Sequence, residues 1–384
     1  MAMSQRPIDL NDRKQFLSFC RAAWSWDVCE SCHTPEGCAD HQRPDTASRR
    51  LEPYWWHCKR MIGPGPSSEE NLISLIASLR ENAPTITRQS LREQVFPTAQ
   101  EAIPPQLDQN AAIDAAVKIL FMSNCSPIDH WSDHLETGML RRPWRDNVVF
   151  ASFIEDMLPP QQTHPVLSYP ESLEYADFKS SIKATSLVKY LGIRIQPTDD
   201  VRDHLYFDTR RRELRIFHFT GFLKQQLQLT KDAPRDLALA DALKLGALPR
   251  QFVLEILDSL QHILFPLSDK KSRKLLQSLI ATLGLDPDML RFDFASNRNP
   301  GEEYTPYYYF ADRLADLRNE LEAPRPQGWV QELMERKSGA RYVMLATLVG
   351  IGLAILLGIA SLAVGSYQTW LAYQAWQHPV SNGP

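Results

Sequence analysis

From Tyr342 to Pro384 the chain carries no Lys, Arg, Asp or Glu, and the stretch from Val343 to Val364 within it is almost wholly apolar. As a helix rising ~1.5 Å per residue, that run reaches about 33 Å, enough to cross a hydrocarbon core of ~30 Å. A core helix of a soluble protein keeps a polar face, whereas this run is apolar all round. It therefore predicts a transmembrane helix over residues 342–370 followed by a short tail, 371–384, with the bilayer as a partner through Val343 to Val364.

The flanks give the expected orientation. Arg336, Lys337 and Arg341 precede the run and no basic residue follows it, which places the N-terminal side in the cytosol. Tyr367, Trp370, Tyr373 and Trp376 come after it, where amphipathic rings suit the far headgroup layer. The expectation is a single-pass, tail-anchored protein of an ER-derived or plasma membrane rather than a mitochondrial one. Ala346, Gly350, Ala354 and Gly358 recur every fourth residue. Small residues on one ridge let two helices approach closely, which suits a homo-oligomer, although Gly and Ala are also simply common in membrane helices.

The rest of the chain reads as a folded body. Of 384 residues, 43% are hydrophobic and 23% charged, an ordinary globular balance. A net charge of −4 gives no global reason to expect a nucleic-acid partner. The 27 prolines predict short helices separated by bent connections. The opening MAMSQRPIDLNDRKQ has no apolar h-region, so no signal peptide is expected.

The fold class that follows is mainly α: a multi-helix cytosolic body with a small β-hairpin, a Cys/His-rich N-terminal lobe over residues 1–65, and one C-terminal transmembrane helix. The helical body runs over 66–327 and a juxtamembrane helix over 328–341. Apolar periodicity marks helices in SSEENLISLIASLRENA, with Ser67 and Glu70 spaced as a capping box, in QNAAIDAAVKILFM and in NVVFASFIEDML. Further helices are expected from Pro234 to Gly246, through PRQFVLEILDSLQHILF, from Ser268 to Gly284, and through YYYFADRLADLRNELE. HLYF and LRIFHF around the polar DTRRRE predict the hairpin, near 204–219, with Leu205, Phe207, Leu214, Ile216 and Phe219 as its apolar positions. Arg210 to Arg212 read as a solvated turn. In the juxtamembrane segment, Trp329, Val330, Leu333 and Met334 form a small apolar face, suited to the membrane surface or to docking back on the body.

The strongest chemical signal is WDVCESCHTPEGCADHQRP. Here Cys29-x2-Cys32 is followed by Cys38-x2-His41, with Pro35 and Gly37 between them. Two such pairs can wrap a tetrahedral Zn²⁺, and a reducing cytosol favours metal over disulfide. A structural zinc on Cys29, Cys32, Cys38 and His41 is the sharper reading. A packed metal-free loop, or a disulfide or redox role, remains open, and His33, His57 and Cys58 are spare ligand candidates. Four soft ligands leave no open position for water, so the cluster is not read as an active site. Trp24, Trp26, Tyr54, Trp55 and Trp56 flank it and read as core.

Weaker constellations follow. Asp129, His130, Asp133 and His134 place two histidines one turn apart but lack the His-Glu-x-x-His arrangement. Asp199, Asp200, Asp203 and His204 read as acids opening a helical turn after Pro197. No phosphate-cradling glycine loop, Gly-x-Ser-x-Gly elbow or kinase signature is present.

Several segments, DDVRDHLYFD…LRIFHFTGFLKQQL, DKKSRKLLQSLI, YYYFADRLADLRNELEAPRPQGW, ERKSGARYVMLATLVG and YQAWQHPV, together resemble a fungal family of membrane-associated proteins. The resemblance covers roughly Leu187 to Val380. It implies membrane association and carries no activity and no catalytic residues. The functional expectation is a membrane-anchored interaction or scaffold module with an unknown protein partner. The alternatives are a membrane-tethered enzyme using His130 and His134 or His204, and a zinc-dependent regulator.

Overall fold

The computed structural model describes residues 13–26, 50–62, 69–97, 103–126, 143–160, 163–234, 236–291, 297–323 and 340–377. The chain divides into two units, Met1–Ala323 and Pro324–Pro384.

The first unit opens with the helices α1 (Arg13–Trp24), α2 (Glu52–Ile62), α3 (Glu69–Asn82), α4 (Arg88–Val95), α5 (Gln106–Phe121) and α6 (Phe150–Met157), then α7 (Leu173–Ser181) and α8 (Ala184–Leu191). A three-stranded sheet of β1 (Arg194–Thr198), β2 (Tyr206–Asp208) and β3 (Glu213–Phe217) follows. After it come α9 (Thr220–Leu229), α10 (Leu239–Lys244), α11 (Arg250–Asp258), α12 (Lys270–Leu283) and α13 (Ala311–Glu322). Helices form in the segments where periodicity predicts them, and six more, α1, α2, α4, α7, α8 and α9, form where no helix is expected. Helices dominate and the sheet is a minor element.

The hairpin forms as its alternation predicts: β2 and β3 pair antiparallel, with Phe207 opposite Leu214. Leu205, Leu214, Ile216 and Phe219 are buried and Phe207 packs partly buried against the same core. The third strand has no forewarning in the sequence pattern. β1 pairs parallel to β3, with Ile195 opposite Leu214 and Pro197 opposite Ile216. A proline inside RIQPT argues against a strand, yet the sheet order β1-β3-β2 puts β1 at an edge, where one missing backbone N–H is tolerated.

Three helix boundaries shift for local reasons. α10 begins at Leu239 rather than Pro234. α12 is capped by Asp269, whose carboxylate accepts the Lys271 N–H at 3.0 Å, rather than by Ser268. α11 does not run on as an α-helix but widens into a π segment, Ser259–Leu264, closed by a bond from the Phe265 N–H to the Leu260 carbonyl at 2.9 Å. Gly284 ends α12 in the left-handed conformation, φ +68°, a position that favours glycine.

The described aromatics of the first 65 residues pack into the core. Trp24 lies edge-on to Tyr54 and Phe222, Phe19 lies edge-on to Trp55, and the Tyr54 hydroxyl donates to the Ile119 carbonyl at 2.7 Å. Trp24, Trp26, Tyr54 and Trp55 are buried as expected, whereas Trp56 is 66% exposed. α1 and α5 both pack on α3, and α9 packs on α11.

Buried charges are paired. Arg250, in α11, forks onto Glu302 with both contacts at 2.7 Å and donates to the carbonyls of Leu227 and Asn297 at 2.8 and 3.0 Å. Asp258 gathers Lys179, His262, Arg298 and the Tyr307 hydroxyl. Lys224 reaches Asp288 at 2.5 Å.

The second unit contains α14 (Ala340–Gln377). Within its segment Thr347–Gln377 the most apolar 18-residue window has a mean hydropathy of 2.4, and none of that window is buried. By length and composition it is one helix able to cross a membrane. Gly350, Ala354 and Gly358 fall on one ridge of it, and the space beside both glycines is open.

Candidate functional site

Most side chains singled out for chemistry in the sequence lie outside the described residues. Cys29, Cys32, Cys38 and His41 lie outside the described residues, as do Asp129, His130, Asp133, His134 and the juxtamembrane segment up to residue 339. Among the described residues no group of three or more His, Cys, Asp or Glu is arranged to hold a metal ion.

Cys20, Cys58 and Cys125 are free, buried thiols. Burial, and the neighbouring Cys58 thiol in the case of Cys20, raises Cys20 well above the ordinary thiol range. Burial lifts Cys58 to about 12, and Cys125 rises on burial and on the charge of Asp114. Cys58 is 0% exposed and packs in the core.

His204 is fully buried and satisfied. Its Nδ1 accepts the Phe217 N–H at 3.2 Å and its Nε2 donates to Ser259 Oγ at 2.7 Å, while that hydroxyl donates to the Ile256 carbonyl. Burial and the nearby Arg313 hold it neutral. It ties the sheet to the π segment and faces no cleft. Asp200 caps a 3₁₀ turn, Val201–Asp203, and pairs with Arg202 at 2.5 Å; Asp203 lies 3.3 Å from Arg215. These acids shape the turn.

A cleft of about 760 Å³ opens between α2, the end of β1, the segment after β3 and the end of α12. α2 contributes Trp56, His57, Lys59 and Arg60, β1 leads into Asp199, and His218 follows β3. A second hollow of about 450 Å³ shares Pro53, Trp56 and Gly284 with it and reaches Asp286 and Asp288.

Hydrogen bonding fixes the tautomer of both cleft histidines. Arg60 Nη2 lies 3.3 Å from His57 Nδ1. A guanidinium can only donate, so Nδ1 accepts and the proton sits on Nε2. His218 Nδ1 accepts the Asp286 N–H at 3.1 Å, which puts its proton on Nε2 as well.

His57 is 3% exposed, and its Nε2 has no hydrogen-bond acceptor among the described residues. The nearest carboxylate oxygen, on Asp199, is 3.7 Å away and is held by Lys118 at 2.9 Å. Burial outweighs the pull of Asp199 and, with Lys118 and Arg60, lowers His57 to about 4. His218 falls to about 4, chiefly by burial and then through His57. At neutral pH both rings are uncharged N–H donors.

The cleft lining offers hydrogen-bond donors and two cationic side chains, with Asp199 as its acidic member. Thr198 lines it as well. The sequence marks His57 only as a spare zinc ligand and does not mark His218 at all. Their partnership depends on chain segments about 160 residues apart, which no local spacing reveals.

Comparison with protein-family models, with curated proteins and with solved structures returns no match.

Proposed function

We propose that this chain is a single-span membrane protein whose helical body, on the cytosolic side, acts as an interaction or scaffold module. The observation that carries this reading is α14. Its window of mean hydropathy 2.4 is long enough and apolar enough to cross a bilayer. The basic residues Arg336, Lys337 and Arg341 before the span, with none after it, support a cytosolic body. The aromatics Tyr367, Trp370, Tyr373 and Trp376 suit the opposite interface.

The topology is tested on sealed microsomes carrying the full-length chain. Added protease is expected to digest the body while the vesicles remain intact. Protection of the body until detergent is added would overturn the orientation.

Cys29, Cys32, Cys38 and His41 are proposed to hold one structural zinc, on the strength of their spacing alone. Metal analysis of the purified chain is expected to find about one zinc per chain, lost when Cys29 and Cys32 are changed to serine. Less than half an equivalent would remove this part of the reading.

A further inference from the structure

The cleft beneath α2 is the feature of the body that the anchoring role leaves unused, and its groups share one chemical preference. Both of its histidines present a hydrogen rather than a lone pair. His57 brings Nε2–H, buried and without an acceptor among the described residues. His218 brings Nε2–H, its other nitrogen being engaged by the Asp286 N–H. Arg60 and Lys59 add positive charge from the adjacent turn of the same helix.

A buried donor without an acceptor is costly, and an acceptor entering the cleft relieves that cost. Asp199 is the one acidic residue lining the cleft among the described residues, and its pairing with Lys118 reduces its repulsion of an incoming anion. Several donors lining one cleft from two elements suit a tetrahedral oxyanion, which offers acceptors in several directions. A volume of about 760 Å³ is far larger than one phosphate group and falls in the usual range for small-molecule sites. Trp56, 66% exposed at the rim with the Lys59 ammonium 5.4 Å from its ring centre, offers a flat apolar face for the organic part of an ester.

We propose that this cleft binds a phosphomonoester, with His57 and His218 donating to the phosphate oxygens, Arg60 and Lys59 balancing its charge, and Trp56 contacting the esterified group. The ester is either a soluble metabolite or the headgroup of a phosphorylated lipid, and the same donors would read both. This inference stands apart from membrane anchoring, because binding is read on the protein in solution.

The test is titration calorimetry on the full-length chain in a neutral detergent, with inorganic phosphate, glycerol 3-phosphate and a soluble inositol phosphate as probes. Saturable binding of at least one probe is expected, with the esters binding more tightly than inorganic phosphate. Arg60→Gln, on the exposed side of α2, is expected to keep the fold and weaken binding about tenfold, and His57→Gln to weaken it by a similar factor. Trp56→Ala is expected to reduce the advantage of the esters while leaving inorganic phosphate unchanged.

Tighter binding to vesicles carrying a phosphorylated inositol lipid than to either soluble ester assigns a lipid headgroup, and no such gain assigns a soluble ester. No saturable binding of any probe up to about 10 mM would overturn the proposal. So would binding that Arg60→Gln, with its melting temperature unchanged, leaves within twofold of the original.

Discussion

Arg250 shows how much of this body is held by charges rather than by apolar packing alone. Its guanidinium is buried and meets Glu302 and the carbonyls of Leu227, Thr230 and Asn297. A buried pair of this kind contributes little over an apolar substitute, but breaking it strands a charge. Arg250→Ala should therefore destabilise the body by about 3–5 kcal/mol, read as a shift of the denaturation midpoint. Glu302→Gln should cost a similar amount, because it leaves the buried guanidinium without its counter-charge and sets an amide NH2 against one of its donors.

The cleft histidines carry a second residue-scale prediction. Their folded pKa values, about 4, lie below the ordinary 6.5, so between pH 6.5 and 4 the unfolded chain binds protons that the folded chain refuses. Their contribution is complete above pH 6.5 and is lost as pH falls towards 4. Glu255 and Asp286 work in the opposite sense. Burial raises them to about 7 and about 6, so their contribution is complete at low pH and lost as pH rises through those values. Replacing His57 and His218 together by glutamine should remove the acid-side loss, roughly 1–3 kcal/mol per histidine. Unfolding curves at pH 4.5 and 6.5 would show the stability at pH 4.5 rise relative to that at pH 6.5, with Glu255 and Asp286 left as the opposing groups. The groups that set this behaviour are Asp199, Lys118 and Arg60 around His57, and His57, Asp199 and Arg60 around His218.

At the scale of elements, Gly221 fixes where α9 meets the chain entering α2. A Cβ there would sit 2.3 Å from the Arg50 carbonyl oxygen, a contact with backbone that cannot step aside. Gly221→Ala should cost about 1–3 kcal/mol or more through overpacking. Gly192→Ala is the control: its φ is +63° and nothing lies within 4 Å of the added methyl, so only about 1 kcal/mol of backbone strain is expected. Thermal melts of the two variants side by side check both.

Helices of the body are legible in the sequence where they carry a stripe of their own, as in Val253, Ile256, Leu257 and Leu260, all of which are buried, whereas short ones such as α4, α7 and α8 are too brief to show one. The hairpin is legible because its alternation is local. β1 is not, since its pairing partner β3 begins after an intervening turn and strand, and Pro197 masks its character. The π segment is also hidden, because HIL carries the same apolar spacing whether a turn closes at four residues or at five. The cleft is hidden for the same reason as β1. The signal lies in the meeting of His57 with His218, and neither stretch announces the other.

For the whole molecule, two kinds of solvation divide the chain. In the body, apolar side chains from α1 to α13 bury one another in a shared core. In α14 they do not: Leu348, Ile351, Ile355, Leu356 and Leu362 are each more than half exposed. Burial is worth about 25 cal/mol per Å² of apolar surface, and lipid is an environment that the length and composition of this helix match. Alkaline carbonate extraction of membranes carrying the full-length chain tests this most directly. The account predicts that the chain stays with the membrane pellet and that deleting residues 343–364 releases it to the supernatant; release of the intact chain by carbonate would contradict it.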